Sequence, residues 1–427
     1  LIPEQFVQEP TTSSTGGPTF LQAADFHLGA VASVRLRLSA EQAAVRAAER
    51  RETLRRTCET AARRKVDVLL IPGNVCDSPR PDDADTAAVL DAFASVAPIP
   101  VVVAPGDRDP AGAQSIWNRE FTRRRTGRAW PDNVHVFTGT EHSVLKLPSV
   151  PDCVFVGRSH PDSKSEAKSD SKSDAKLPTA RIDRPGSPIS VLLHHGSPAS
   201  QRDRQRAALS AFADADLIAQ GFSYTAVAHS GRRWTLKDSA GLVRAADAGG
   251  PFGDLGSTGA FRGGAIMGRL TAQGAASLSG SGPLETLELD PRFLREVRVD
   301  LSGAGDGDEV ARRIRAAVVE SGSRCEDLVY VVAAGLYSPG VQLPDRTAFA
   351  DLNHFHFQID WSAARPDYDL ESLHGDGRGR PTVERRLVRN LMESIETADD
   401  DARRDLLENA LYYGLDSLRQ GRLDIRS

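Results

Sequence analysis

The 427-residue sequence is short of several things. It has four cysteines, Cys58, Cys76, Cys153 and Cys325, and no C-x-x-C pair. That excludes a disulfide framework or a zinc ribbon and fits reduced thiols. No apolar run is long enough to span a bilayer, so no membrane role is expected. The first residues lack the basic start and apolar core of a secretory signal, so a cytoplasmic location is expected. Positive charge is not in excess: 53 Lys and Arg stand against 58 Asp and Glu, a net −5 at pH 7. Binding of nucleic acid through overall charge is thereby disfavoured. An initial Met is missing too, and the chain, opening on Leu1, reads as a fragment or as trimmed at the front.

What is present is ordinary for a globular protein of two or three domains: 40% hydrophobic and 26% charged residues. Two local basic runs, Arg55-Arg56 with Arg63-Arg64-Lys65 and Arg123-Arg124-Arg125 with Arg128, read either as solvated helix faces or as nucleic-acid contacts. Residues 1–17, rich in Pro, Thr, Ser and Gly, are expected to form a flexible leader. Residues 162–176, built wholly from Ser, Lys, Asp, Glu and Ala, are expected to be a disordered insertion.

Apolar strands alternate with helices. A strand over 19–24 is followed by a helix from the Ser39 cap to about Arg64. A strand over 66–71, a helix over 83–96 and a strand over 99–104 come next. After a helix near 113–125 come short strands at 134–137, 143–147 and 153–156. A strand at 189–193, a helix over 201–220 and a strand at 224–228 complete the pattern. This order predicts an α/β layered fold, whose sites lie at the carboxyl ends of the strands. Those ends carry polar residues: Asp25-Phe26-His27, Gly73-Asn74, Gly106-Asp107-Arg108-Asp109, His194-His195-Gly196 and His229-Ser230-Gly231. In an extended chain Asp25 and His27 share a face, half of a metal site. From Leu284 strands at 287–289, 297–299, 328–333 and 354–359 with a helix over 308–319 suggest a small α+β domain. The charged tail over 382–420 reads as helical, with an interrupted stripe of Leu387, Leu391, Ile395, Leu411, Leu415 and Leu418.

These strand ends, in this order, resemble the calcineurin-like metallophosphoesterases, and more closely the SbcD branch, the nuclease subunit of the bacterial SbcCD complex. Gly221-Phe222-Ser223-Tyr224 and Gly249-Gly250-Pro251 extend the similarity, which covers residues 19–375. The resemblance implies an α/β/β/α sandwich over 18–283, a small α+β capping domain over 284–378 and a C-terminal helical segment over 379–427. It implies Mn2+, with Asp25, His27, Asn74, Asp107, His195 and His229 as metal ligands. It also implies phosphodiester hydrolysis at double-stranded DNA ends, a homodimer, and an SbcC-like coiled-coil ATPase as partner.

The chain departs from the family at four positions. Asn74 stands where a carboxylate bridges two ions, and an amide is a poor charged bridge. Asp107 stands where the family has Asn. Arg108 replaces the catalytic His; it cannot act as a general acid but can grip phosphate. Gly231 replaces the last His. Asp77 and Asp109 either supplement the ligands or cap turns. Three readings follow: a two-metal nuclease with exchanged ligands, a one-metal phosphoesterase acting on a small phosphodiester, or a metal-free or inactive binding and scaffold subunit.

Overall fold

The computed structural model describes residues 16–31, 36–161, 182, 186–198, 211–256, 259–261, 264–279, 282–375 and 382–421. The expected insertion at 162–176, residues 1–15 of the expected leader and the first half of the expected 201–220 helix lie outside them. The chain divides into two compact units, Leu1–Pro291 and Arg292–Ser427.

The first unit is organised by strands whose neighbouring residues face different layers. β1 is Thr19–Gln22, β2 Val68–Ile71 and β3 Val101–Val103; β4 is Val134–Val136, β5 Ser143–Lys146, β6 Cys153–Gly157 and β7 Ile189–His195. β1 to β4 run parallel side by side. β6, β7 and the strands Tyr224–Ala228 and Val243–Asp247 form a second parallel set. The antiparallel strand Ala265–Leu270 pairs with β1 and with Ala275–Ala276, which joins the second set and closes one 13-stranded sheet.

Side-chain alternation turns that sheet into a sandwich. Phe20, Val68, Leu70 and Val102 meet Val191, Leu193, Tyr224 and Ala226 in one core between the two sets. Leu21, Leu69, Ile71, Val101 and Val103 point the other way, onto helices α1 (Ala40–Arg64) and α2 (Asp83–Ser95). Leu192, Val227 and Ala245 face the opposite outer layer with Leu217 and Phe222. The layers are therefore α/β/β/α, as expected. Buried Gln22 stitches the two sheet halves: its amide donates to the carbonyls of Val227 (3.0 Å) and Ala246 (2.9 Å) and accepts from the Tyr224 hydroxyl (2.6 Å).

Local signals set the helix ends. Ser39 and Gln42 form a capping box, and Lys65 closes α1 in the left-handed conformation. The helix expected near 113–125 begins only at α3 (Arg119–Thr126), where Asn118 caps it. Ahead of it Trp117 is buried and stacked on Trp130, its indole N–H donating to the Asp109 carbonyl at 2.7 Å. The piece read as a strand at 287–289 is seen as Glu285–Leu287, paired with Ala265–Leu270 in the first sheet.

In the second unit three parallel strands, Leu294–Asp300, Leu328–Tyr337 and His356–Pro366, pack on the helix Gly307–Glu320. The tail is two helices, Val383–Glu396 and Asp401–Gln420, joined at Tyr368, Val388, Leu411 and Leu415. Leu418, read as part of the stripe, is exposed. Among the described residues, no helix is long and apolar enough to cross a membrane.

Candidate metal centre

The loops beyond β1, β2 and β3 converge with the ends of β7 and Tyr224–Ala228. β1 ends at Gln22, so Asp25 and His27 lie past the strand, not on it. Both have left-handed backbones (φ 56° and 50°), as does Asn74 (52°), while His229 sits at 115°. Non-glycine residues adopt such angles only when their surroundings hold them there. Here the backbone N–H groups of Asp25 and His27 donate to the carbonyls of Gly73 and Asn74, each at 3.1 Å. The expected shared strand face is therefore wrong in mechanism, yet the two side chains still meet, His27 Nε2 lying 3.8 Å from Asp25 Oδ1.

Asp107, His195 and His229 present ligand atoms within 4.8 Å of one another. His195 Nε2 is 2.9 Å from Asp107 Oδ1 and 3.2 Å from His229 Nδ1, which is 3.6 Å from the same carboxylate oxygen. The other ring nitrogen, His195 Nδ1, lies 3.1 Å from the Pro72 carbonyl. A carbonyl only accepts, so Nδ1 carries a proton and Nε2 is turned to the centre. His27 repeats this arrangement, with Nδ1 3.2 Å from Asp77 Oδ1 and Nε2 towards Asp25. Asp25 Oδ2 accepts from the His229 backbone N–H at 2.9 Å, while its buried Oδ1 has no hydrogen-bond partner among the described residues.

Asn74 differs from the ligand expected at its position. Its Oδ1 accepts from the Arg108 backbone N–H at 3.0 Å, which fixes the amide's orientation. The Nδ2 group therefore faces the cluster, 3.0 Å from Asp107 Oδ1 and 3.1 Å from His195 Nε2. It sits there as a donor. Gly106 makes room for it, since a Cβ at that position would lie 2.2 Å from Asn74 Oδ1. Gly73 does the same for His195, whose Nδ1 would be 2.4 Å from an added Cβ.

The two undecided aspartates separate cleanly. Asp109 is a turn cap: fully buried, it accepts from the backbone N–H groups of Asn74, Val75, Cys76 and Gly106. Burial pushes its carboxyl up to about 6 against those bonds. Asp77 caps nothing. It links His27 to Arg108, whose Nε and Nη2 fork onto its two oxygens at 2.9 and 3.1 Å. Arg108, half-exposed, is thus held by a carboxylate.

The electrostatics follow from this packing. Burial alone would raise the Asp107 carboxyl, but the hydrogen bonds and charge of His195 and His229 hold it well below the usual range. Burial alone would lower the His195 imidazole, but Asp107, then Asp25, bring it up to about 9. Asp247 was not singled out in the sequence, although it too ends an apolar strand. It is buried, takes bonds from Ser230 and Gly249, and is pushed up to about 7 by burial and the charge of Asp25. His160, also missed, packs edge-on to His195 at 6.3 Å, and burial lowers it to about 4.

The donor set fits a divalent ion held by Asp107, His195 and His229. Three lone-pair atoms crowded at 2.9 to 3.6 Å need a shared cation or proton to be stable. Around a second position Asp25 and His27 are offered, with Asp77 bonded to His27 and Gly231 supplying no side chain.

Six residues of the two basic runs are ion-paired. Arg55 and Arg56 engage Glu52, Arg55 also Glu59, and Arg64 forks onto Glu285. Arg124 pairs with Glu120, Arg125 with Asp83, and Arg128 with Asp91. These are solvated helix-face pairs of small individual energy.

No family model matches the chain, and no curated protein matches it. Among solved structures it is similar to a dimetal phosphatase from Danio rerio, at 11% identity and a TM-score of 0.36, over 62% of this chain and 100% of that one. It is also similar to a conserved uncharacterized protein, a predicted phosphoesterase, from Streptococcus pneumoniae, at 10% identity and a TM-score of 0.25, over 63% of this chain and 98% of that one. The chemistry of the centre is accordingly read from its own side chains.

Proposed function

We propose that the chain is a phosphoesterase of the metallophosphoesterase type, working with one firmly held divalent ion. The observation that carries this is the convergence of Asp107, His195 and His229, with His195 Nδ1 tied to a backbone carbonyl so that Nε2 faces the centre. A bound divalent cation supplies Lewis-acid polarisation of a phosphoryl oxygen and activation of water. The chain's part is to hold the phosphoryl group. Asn74 Nδ2 offers an N–H beside the cluster, and Arg108 offers a cationic fork at its mouth. Arg108 cannot give up a proton, so protonation of the leaving group falls to water or another residue.

The SbcD resemblance extends this reading to DNA ends, with Mn2+, a second copy of the chain and a coiled-coil ATPase as companions. The order of the motifs supports that extension.

The test is calorimetric titration of the full chain with Mn2+, followed by hydrolysis of p-nitrophenyl phosphate, bis-p-nitrophenyl phosphate and double-stranded DNA ends. One ion per chain and ester hydrolysis lost in Asp107→Ala and His195→Ala are expected. Failure to bind any divalent ion overturns the proposal. Stoichiometric metal with no turnover on any ester supports instead the binding-subunit reading, which Arg108 and Gly231 favour.

A further inference from the structure

Arg108 and Asp77 form a contact that the phosphoesterase reading does not by itself explain. The guanidinium uses two N–H groups on the two oxygens of one carboxylate, at 2.9 and 3.1 Å. That is also how a guanidinium takes two oxygens of a phosphate. Asp77 in turn is one hydrogen bond from His27, which faces Asp25. Arg108 follows Asp107 in the chain, and its backbone N–H bonds the Asn74 amide that touches Asp107 and His195, so the fork starts one residue from the centre; it opens to solvent, the Arg108 side chain being 53% exposed and that of Asp77 24%.

We infer that Asp77 is a built-in competitor for the phosphoryl site, and that the Arg108 fork selects a terminal phosphate over an internal phosphodiester. This rests on the phosphoesterase reading and names its substrate class. Counting oxygens gives the preference. A phosphomonoester dianion has three non-bridging oxygens, two for the fork and one left for the Asp107–His195–His229 centre. A diester has two, so filling the fork leaves none. The dianion also displaces Asp77 more readily than a monoanion does, because the exchange replaces one carboxylate charge with two. The Arg108 backbone is held in place by Asn74 Oδ1 at 3.0 Å, so only the side chain need turn from Asp77 to substrate.

Asp77 has a second effect on the same site. It accepts from His27 Nδ1 and so keeps Nε2 directed at Asp25. Loss of its charge therefore frees Arg108 and loosens His27 together, which a binding measurement separates from turnover.

The test uses two probes with no ester bond to hydrolyse, phenylphosphonate (three oxygens) and methylphenylphosphinate (two oxygens). Each is titrated calorimetrically into the full chain with Mn2+ at pH 8. The wild-type chain is expected to favour phenylphosphonate by about tenfold, the worth of one charge-assisted hydrogen bond. Arg108→Gln removes most of that preference. Asp77→Asn, and Asp77→Ser as a second variant, tighten phenylphosphonate binding about tenfold because nothing neutralises the fork. Equal affinities in the wild type, or unchanged phenylphosphonate affinity in both folded Asp77 variants, overturn the inference. Mn2+ titration of the same samples separates the two readings. Metal bound without discrimination sinks the gate alone, whereas Arg108-dependent phosphonate binding without metal keeps the gate and sinks the metal centre.

Discussion

His195 holds a proton that a metal ion must displace, and the resulting pH dependence can be worked out. The imidazole is fully buried and lies 2.9 Å from Asp107, whose charge brings it from 6.5 up to about 9 despite burial. At pH 7 the ring is then about 99% protonated in the metal-free chain, and metal affinity is about 100-fold below its value at high pH. Between pH 7 and 8 the affinity should rise about tenfold, with one proton released per ion bound. Calorimetry in buffers of different ionisation enthalpy counts that proton directly. The same ring sets the stability of the metal-free chain. Its folded pKa lies above the unfolded value, so the stabilisation is complete below pH 6.5 and is lost as pH rises through about 9. The rise from 6.5 to about 9 corresponds to about 3 kcal/mol. Denaturant melts of metal-free protein at pH 6, 8 and 10 measure it. Metal affinity flat between pH 7 and 9, with no proton released, would falsify the ion pair as the state of the metal-free centre.

Three further outcomes are expected. Asn74→Asp places a second carboxylate 3.0 Å from Asp107 Oδ1; the metal-free chain loses about 1–3 kcal/mol and Mn2+ stoichiometry rises from one to two, both readable by melting and titration. Asp109→Ala leaves four backbone N–H groups near Asn74 and Gly106 without their acceptor and lowers stability by about 3 kcal/mol or more in urea. Arg46 is buried, forks onto Asp290 at 2.9 Å and lies 3.5 Å from the Phe252 ring centre. Arg46→Ala therefore takes the guanidinium fork away from the Asp290 carboxylate at a cost of about 3–5 kcal/mol, part of which Asp290→Asn restores in the double variant.

The layered core was legible because each inner strand is a short apolar run that ends abruptly in polar residues. Val68 to Ile71 followed by Pro72-Gly73-Asn74 is such a case, and the structure ends β2 at Ile71. The meeting of five strand ends was likewise readable from their order. What sequence could not supply was the sign of φ at Asp25, His27 and Asn74, which depends on the carbonyls of Gly73 and Asn74 across the sheet. The partner of Arg108 is 31 residues away and that of His27 is 50 away, so neither pairing with Asp77 leaves a local pattern. Asp247 had a usable signal, the end of an apolar strand, but no short motif around it. The delayed start of α3 has a physical cause too. The indole of Trp117 is spent on the Asp109 carbonyl, which holds the preceding residues in an irregular turn until Asn118 can cap.

Asn74 and Asp107, exchanged relative to the family the sequence resembles, bear on how many ions the proposed centre would hold. A carboxylate count alone would suggest no loss, since one residue of each kind remains. Orientation matters more than count. The Arg108 N–H takes Asn74 Oδ1, so the face that Asn74 shows the cluster is Nδ2, a group that repels cations and supports the Asp107 carboxylate. The charge of Asp107 lies with the half that holds His195 and His229. Asp25 and His27 keep their places, and Asp25 Oδ1 stays buried without a partner. Gly231 contributes no ligand beside them, however, and the Asp77 carboxylate bonded to His27 is engaged by Arg108. Asp25 therefore serves the first half, holding the His229 backbone at 2.9 Å and adding its charge beside His195. A one-ion centre is what that division of donors supports, and it is why Asn74→Asp, rather than any change at Asp25 or His27, is the substitution expected to raise the stoichiometry.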